Sequence, residues 1–417
     1  MSLPYFLAKR ISLSSSSGES RSGIVIAVTG IALSMTVMLV SIAVMMGFKH
    51  EIRQKVMGFD AQLTISPLES KDRQGVPLIE IDSVKAAAGT LPAGASATLT
   101  IRQPAIIKTP QNFAGAVIKG MDKDFDWKFI RENLVEGIVP DYKSDSTLYH
   151  IVISHAIASS LDLELGDKVD AYFLGNNASY RTRRLKIAGI YDTHFSEYDK
   201  HFIFSSLGML QQLGNLSENQ GTVLEISGLS DDEEIERTRG TLVEKLYEEL
   251  YSGRTGRLYS VGSIHESAAM YFNWLALLDT NVVVILVLMA LLGMLTLVSS
   301  LFILVLRRVT MIGILKALGA TDRQIRTSFV ILTFRILLGG LLAGNAIGLA
   351  LIALQEHLKV LPLNPEAYYL DHVPVMINLP SVVILNAAVI LLAFLTLLLP
   401  SAIITTIPPS RAINYDR

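Results

Sequence analysis

The chain has 417 residues, of which 50% are apolar and 18% are charged, with a formal net charge of −2 at pH 7 and a mean hydropathy of +0.42. This composition is too apolar for an ordinary soluble protein and indicates a membrane protein, and the near-zero charge argues against a nucleic-acid binder. Because the sequence contains no cysteine, disulfides, thiolate metal sites and cysteine nucleophiles are excluded.

Four apolar runs are long enough to cross a bilayer core of about 30 Å as helices. They span residues 24–46, 281–306, 327–354 and 381–407. The apolar core of the first run is too long for a signal peptide, and no small-residue cleavage site follows it. We therefore interpret it as a retained transmembrane helix, preceded in residues 1–23 by a short interfacial helix and a serine-rich linker.

Basic residues mark one side of the predicted membrane. They precede the first run, separate the second from the third, or follow the fourth: Lys9, Arg10, Arg21, Arg307, Arg308, Lys316, Arg323, Arg326, Arg411 and Arg417. The positive-inside rule therefore places both termini, including the tail 408–417, and the segment 307–326 in the cytoplasm. The large segment 47–273 and the short loop 355–380 are then predicted to lie outside the cytoplasm.

The large outside segment predicts an α/β domain. Strand-like stretches separated by Gly, Pro, Asn and Asp occur at residues 61–66, 101–108, 117–119, 168–173 and 185–191. A split βαβ pattern follows at residues 223–226, 231–251 and 258–261. The predicted fold is an α-helical membrane protein with four transmembrane helices and this large extracytoplasmic α/β domain inserted between helices 1 and 2.

Both edges of the α/β segment predict helical extensions of the membrane runs. Phe48, Ile52 and Val56 continue the first run at helical spacing. Ser263 and Glu266 have the spacing of a capping box, so one helix of roughly 65 Å, at 1.5 Å per residue, is expected from there to residue 308. Two stiff helices of this kind could transmit movement across a bilayer.

The segment 307–326 predicts a short basic amphipathic helix followed by a second helix. Met311, Ile314, Leu315 and Leu318 fall at i, i+3, i+4 and i+7, which is one apolar stripe. Gly319 suits a left-handed helix end, and a capping box, Thr321 with Gln324, starts the next helix. Two interpretations remain at this point: a docking element for a partner, or a basic loop that only anchors the topology.

Gly340, Gly344 and Gly348 form a small-residue face in the third run. Such a face permits close helix packing, either within one chain or between two chains. Arg335 lies near the cytoplasmic end of the same run and is expected to reach the interface. No chain of carboxylates or histidines crosses the apolar runs, which argues against a proton-coupled transporter.

The sequence contains no Gly-Lys-Ser/Thr phosphate loop, so any ATPase must be another subunit. Asp122, Asp124 and Asp126 begin like a calcium loop, but Trp127 and Asn133 replace the required Gly and Glu. No metal site is therefore expected.

Five stretches in this order resemble those of the ABC transporter permeases of the lipoprotein-releasing, MacB and FtsX type, closest to the LolC/LolE branch. They are VMMGF at 44–48, LELGDKV at 163–169, IGILKALGA at 312–320, YYLDHVPV at 368–375 and PSRAI at 409–413, and the resemblance extends over nearly the whole chain. The resemblance implies a MacB-like periplasmic core domain and a bacterial inner-membrane location.

The resemblance also implies partners and a mechanism. Two permease chains, identical or homologous, pair with a cytoplasmic ABC ATPase dimer that uses ATP and Mg²⁺, while this chain is no enzyme and binds no cofactor. ATP turnover would extract lipoproteins from the outer leaflet by mechanotransmission and pass them to a periplasmic carrier. The ATPase-docking coupling helix would comprise Met311, Ile312, Gly313, Ile314, Leu315, Lys316, Ala317, Leu318 and Gly319.

The alternatives within the resemblance are a MacB-like efflux permease and an FtsX-like regulator of periplasmic cell-wall hydrolases. The sequence departs from the family pattern at Arg307 and Met311, where acidic residues often stand. It also has only residues 174–184, without proline, where the branch member that captures the carrier has a longer hook.

Overall fold

The computed structural model describes residues 18–68, 79, 80, 84, 89, 91–174, 180–255 and 257–401. The predicted interfacial helix and linker, residues 1–23, lie outside them as far as residue 17, whereas residues 18–23, predicted to be linker, begin the helix Gly18–Phe59. The end of the fourth run and the tail 408–417 also lie outside the described residues. The chain divides into two compact units. The membrane unit takes residues 1–50, 274–362 and 372–417, and the α/β unit takes 51–273 and 363–371.

The described strands of the α/β unit are β1 Leu63–Pro67, β2 Ile79–Glu80, β3 Ser96–Lys108, β4 Phe113–Met121, β5 Leu134–Gly137, β6 His150–Ser154, β7 Lys168–Leu174, β8 Tyr180–Tyr191, β9 Phe202–Ser206, β10 Gln220–Gly221, β11 Val223–Ser227 and β12 Tyr259–Ser263. The main sheet has the order β12-β1-β11-β3-β4-β9-β6-β8-β5, and β7 pairs with both β3 and β8. Strands β2 and β10 form a separate pair.

The described helices are α1 Gly18–Phe59, α2 Lys128–Glu132, α3 His155–Leu161, α4 Ser196–Asp199, α5 Leu207–Gly214, α6 Asp232–Tyr251, α7 Ile264–Ser267, α8 Ala269–Leu306, α9 Val309–Ala317, α10 Asp322–Leu358, α11 Pro365–Tyr368 and α12 Leu379–Ser401. Four of them, α1, α8, α10 and α12, are long and apolar enough to cross a membrane.

The predicted split βαβ pattern is confirmed. Strands β11 and β12 each pair antiparallel with β1, which lies between them, and α6 connects them in the chain. The side chain of Asp231 caps α6 by accepting the Glu234 N–H at 2.8 Å, and Ile235, Leu242 and Leu246 bury its apolar face.

The prediction of one unbroken helix from residue 263 to 308 is wrong. Ser263 and Glu266 do form the predicted capping box, but the helix that they start ends after one turn, at Ser267. Ala268, with φ −109° and ψ 29°, leaves the helical conformation, and α8 begins at Ala269. A capping box marks where a helix starts and says nothing about where it ends.

Candidate docking site

The predicted order of helix, glycine stop and capped helix is observed at α9 and α10. Gly319 has φ +92°, the left-handed region that favours glycine. The Ala320 N–H donates to the Leu315 carbonyl and the Gly319 N–H to the Lys316 carbonyl, each at 3.0 Å, which satisfies the last carbonyls of α9. Thr321 and Gln324 then form the capping box that starts α10.

The four residues of the apolar stripe predicted for α9 do not share one environment. Met311 and Leu315 pack against a buried cluster from the ends of the membrane helices, and Ile312 is fully buried. Ile314 and Leu318 instead remain 50% and 79% exposed. The single stripe was therefore a wrong assignment, because apolar residues occupy two sides of this short helix and only its neighbours decide which side is covered.

The exposed stripe of α9 consists of Ile314, Ala317, Leu318 and the terminal Gly319. Its first three members fall at i, i+3 and i+4, so they lie on one face. Lys316 does not belong to it, because its side chain is only 10% exposed and its ammonium lies 2.9 Å from Asp322 Oδ1. That ion pair connects α9 to the first turn of α10 across the glycine.

The three glycines of the third run lie against α1 of the same chain. A Cβ on Gly340 would lie 2.7 Å from the Ile31 side chain, and one on Gly344 would lie 2.7 Å from the Ala32 carbonyl oxygen. A Cβ on Gly348 would lie 2.8 Å from the side chain of Leu39. The backbones therefore approach closely.

Side-chain hydrogen bonds supplement this packing. Thr36 Oγ1 donates to the Gly344 carbonyl at 3.1 Å. Asn345 on α10 and Asn386 on α12 exchange amide hydrogen bonds of 2.8 and 3.1 Å. We did not predict this pair from the sequence, although an asparagine inside an apolar run is itself a signal of a partner.

The contacts between α1 and α8 in the membrane unit include an aromatic pair and an ion pair. Phe48 and Trp274 meet edge to face with ring centroids 6.0 Å apart. The next residue of α1 is Lys49, whose Nζ lies 2.6 Å from Asp279 Oδ2 on α8.

In the α/β unit, α1 ends in an aromatic cluster. The ring of Phe59, 1% exposed, has its centroid between 4.9 and 6.4 Å from those of six other rings: Phe129, Tyr191, Phe195, Tyr198, Phe202 and Phe204. Burial of so much aromatic surface fixes the end of the helix in the unit.

The loop segment 363–371 is part of the α/β unit. The Tyr369 ring contacts Phe195 at 5.1 Å and Tyr271 at 5.5 Å, and its carbonyl accepts a 2.9 Å hydrogen bond from Lys55 Nζ. Tyr369 has φ +59°, an uncommon conformation that costs about 1–3 kcal/mol in a non-glycine residue. These contacts offset that cost.

Asp199 organises the turn beside the aromatic cluster. Its carboxylate accepts hydrogen bonds from Thr193 N–H, Thr193 Oγ1 and Phe195 N–H at 2.7–3.2 Å. Burial raises the pKa of Asp199 to about 6, with a further contribution from Asp192, and the hydrogen bonds only partly oppose this.

The acidic residues of the suspected calcium loop have other partners. Asp122 and Asp126 accept backbone N–H bonds from Lys123 and Lys128, and Asp124 lies 3.1 Å from Lys143 Nζ. Among the described residues, no cluster of His, Asp and Glu could hold a metal ion.

Two family models match the chain. The model described as MacB-like periplasmic core domain matches residues 24–242, and the one described as FtsX-like permease C-terminal matches residues 283–409. A solved structure of the periplasmic region of MacB from Actinobacillus actinomycetemcomitans matches 53% of this chain and 98% of its own, with 14% identity and a TM-score of 0.34.

The chain is also similar to curated proteins named lipoprotein-releasing system transmembrane protein LolC. The LolC of Xylella fastidiosa (strain 9a5c) is 24% identical over 93% of both chains. That of Neisseria meningitidis serogroup B (strain ATCC BAA-335 / MC58) is 22% identical over 94% of both. Because the first family model alone spans more than half of the 417 residues, the chain belongs to the FtsX-like ABC transporter permeases with a MacB-like periplasmic core domain, in the LolC/LolE branch.

Proposed function

We propose that this chain is the permease subunit of an ATP-driven lipoprotein-releasing complex, which extracts lipoproteins from the outer leaflet of the inner membrane by mechanotransmission. One observation carries the proposal: the similarity to proteins named LolC covers 93% of both chains, so it includes the membrane unit and the α/β unit together. As a multi-pass inner-membrane ABC permease, the chain works with an ATPase subunit and a second permease subunit.

The proposed topology places the α/β domain in the periplasm, inserted between the first and second transmembrane helices. The termini and α9 then lie in the cytoplasm, as the basic residues near the ends of the apolar runs favour. ATP and Mg²⁺ bind to the partner ATPase and not to this chain.

The exposed stripe of α9 is the surface proposed for the ATPase. Ile314 and Leu318 are large apolar side chains left open on a helix whose other side is held by the membrane unit. Such a rigidly held apolar surface fits a groove in a partner, and its contact rests on apolar packing because Lys316 is already paired with Asp322.

The helices α1 and α8 are the proposed transmitting elements. With 42 residues, α1 is about 63 Å long at 1.5 Å per residue, about twice the thickness of a bilayer core. The contacts Phe48–Trp274 and Lys49–Asp279 connect α1 to α8, which supports their moving together.

Docking is tested by Leu318→Asp, since Leu318 is exposed and its replacement should leave the fold intact. Placing an unpaired carboxylate in an apolar groove costs several kcal/mol, which weakens ATPase binding roughly a hundredfold or more. The matched control is Val360→Asp, because Val360 is an apolar side chain in the loop after α10 that is 54% exposed. Equal ATPase co-purification with both variants would refute the docking assignment. Leu315→Asp is unsuitable because Leu315 packs inward.

The function is tested by depleting the protein and measuring lipoproteins in separated inner and outer membranes. We expect outer-membrane lipoproteins to accumulate in the inner membrane. Unchanged lipoprotein sorting would reject the proposal. In that case, increased drug sensitivity of the depleted cells would indicate an efflux permease. A division or cell-wall defect of those cells would instead indicate a regulator of cell-wall hydrolases.

A further inference from the structure

Four charged side chains, three buried and one, Arg102, 26% exposed, meet where α1 joins the sheet of the α/β unit. Lys119 on β4 and Glu225 on β11 have side chains 2% and 5% exposed, and Lys119 Nζ lies 2.9 Å from Glu225 Oε2. Arg102 on β3 lies 2.6 Å from Glu225 Oε1 and 2.8 Å from Asp60 Oδ1, through the same Nη2. Two cations and two anions therefore form a continuous, neutral group, which we call the joint.

The joint holds the end of α1 directly. Lys119 Nζ donates a 2.7 Å hydrogen bond to the carbonyl oxygen of Phe59, the last residue of the helix. Asp60, the next residue, also accepts a 2.8 Å hydrogen bond from the Tyr198 hydroxyl. A cation at the C-terminus of a helix is favourable because the free carbonyls carry partial negative charge.

The carboxylate of Glu225 keeps its charge in this enclosure. Burial alone would raise the pKa of Glu225, but Lys119 and Arg102 outweigh burial and hold it below its ordinary value. A buried neutral group of charges contributes little more stability than well-packed apolar side chains would, yet it accepts only one arrangement of its partners. The joint is therefore better suited to fixing an orientation than to stabilising the fold.

We propose that Asp60, Arg102, Lys119 and Glu225 are positioning residues that lock the end of α1 to strands β3, β4 and β11, so that a movement of α1 turns the sheet with it. This inference rests on the proposed function and assigns residues to its transmitting step. Without the joint, α1 would move while the sheet lagged behind. ATP turnover would then continue with less lipoprotein released.

The first test measures the rigidity of the joint. The variant Lys119→Met/Glu225→Leu removes one charge of each sign and leaves Arg102 paired with Asp60. Because the chain has no cysteine, nitroxide labels can be attached at Gln54→Cys on α1 and Ala97→Cys on β3, both exposed. Electron paramagnetic resonance should show a narrow distance distribution in the parent chain and a broader one in the variant. Equal widths would overturn the proposal.

The second test measures coupling in the complete complex with its ATPase and partner permease. The joint variant should hydrolyse ATP at the parent rate, while lipoprotein released per ATP falls about fivefold or more, the lower end of usual coupling between sites. The control is Lys143→Met/Asp124→Leu, which removes an exposed ion pair of the same unit and should release normally. Normal release by the joint variant would overturn the proposal.

The two tests separate the joint from the proposed function. If the parent complex releases no lipoprotein, the proposed function is wrong. The distance measurement then still tests whether the joint fixes the end of α1 to the sheet. If the double variant does not fold, Tyr198→Phe, which removes only the hydrogen bond to Asp60, replaces it in both tests. With that variant, a partial broadening together with reduced release per ATP supports the joint, and an unchanged value in either measurement overturns it.

Discussion

The membrane unit and the α/β unit hold the same helix, α1, by different means. In the membrane unit, α10 lies against α1 through Gly340, Gly344 and Gly348, and the backbones approach closely. In the α/β unit, the end of α1 is enclosed by large aromatic rings around Phe59 and by the four charges of the joint. Small residues hold α1 against α10, whereas large and charged residues hold its end in the α/β unit.

The difference follows from the surroundings of each unit. Lipid chains are as apolar as leucine, so membrane helices gain little from burying apolar side chains and associate through close packing. A domain in water gains directly from burying aromatic surface, and the dry interior that results makes paired charges selective for one geometry. Each unit should therefore respond to a different kind of substitution.

The largest effect is expected from Lys119→Met alone. It leaves Glu225 buried with one cation fewer and removes the cap from the Phe59 carbonyl, so the α/β unit should lose about 3–5 kcal/mol of stability. Denaturant unfolding followed by fluorescence of Trp127, a buried residue of this unit, measures the loss. Adding Glu225→Leu should recover most of it. A double variant as unstable as the single one would contradict the view that charge balance matters here.

A pH effect of comparable size is expected from Asp199. Its folded pKa of about 6 lies above the ordinary value of 3.8, so the folded state binds the proton more tightly. The stability that Asp199 contributes is therefore present below pH 4 and is lost as the pH rises to about 6, on the order of 3 kcal/mol at about 1.4 kcal/mol per pKa unit.

The variant Asp199→Asn tests this pH effect. An asparagine can still accept from the two backbone N–H groups and can donate to Thr193 Oγ1. Its stability relative to the parent should rise between pH 4 and pH 6 and then stay level. A difference curve that is flat with pH would show that Asp199 has an ordinary pKa.

The membrane unit should respond to a single added methyl group. In Gly344→Ala the new Cβ would lie 2.7 Å from the Ala32 carbonyl oxygen, so α10 must move away from α1, at a cost of about 1–3 kcal/mol. Gly339→Ala is the control on the same helix, because its Cβ would meet only Val28 Cγ2, at 3.9 Å. Thermal unfolding in detergent compares them. Equal melting temperatures would mean that close approach at Gly344 contributes nothing.

Local signals in the sequence predicted much of this architecture. The stop at Gly319 and the capping boxes of α7 and α10 each depend on residues a few positions apart, and each element of the split βαβ pattern has a signal within its own segment. The break at Ala268 has no such signal, since alanine favours helices and only the surrounding structure interrupts one there.

Features that depend on distant partners could not be predicted. Lys119 ends the strand-like stretch 117–119 and resembles an exposed lysine, because its partner Glu225 lies on a strand far along the chain. In the same way, whether Ile314 or Leu315 is buried depends on which side of α9 the membrane helices cover. Patterns within one segment indicate which residues are apolar, but not which neighbour covers them.

The smallest expected effect concerns Asn345 and Asn386, whose side-chain amides form a polar contact between α10 and α12 in the membrane unit. Each side-chain amide also donates to a carbonyl of its own helix, Leu341 or Val382, so part of its hydrogen bonding survives without the other asparagine. Hydrogen bonds between membrane helices contribute about 0.6 kcal/mol on average. The variants Asn345→Leu and Asn386→Leu and the double variant form a double-mutant cycle, in which the free energy of unfolding is measured in detergent. The coupling energy between the two asparagines should be about 0.6–1.7 kcal/mol. A coupling near zero would mean that this pair contributes nothing to holding α10 and α12 together, and the contrast between the two units would become sharper.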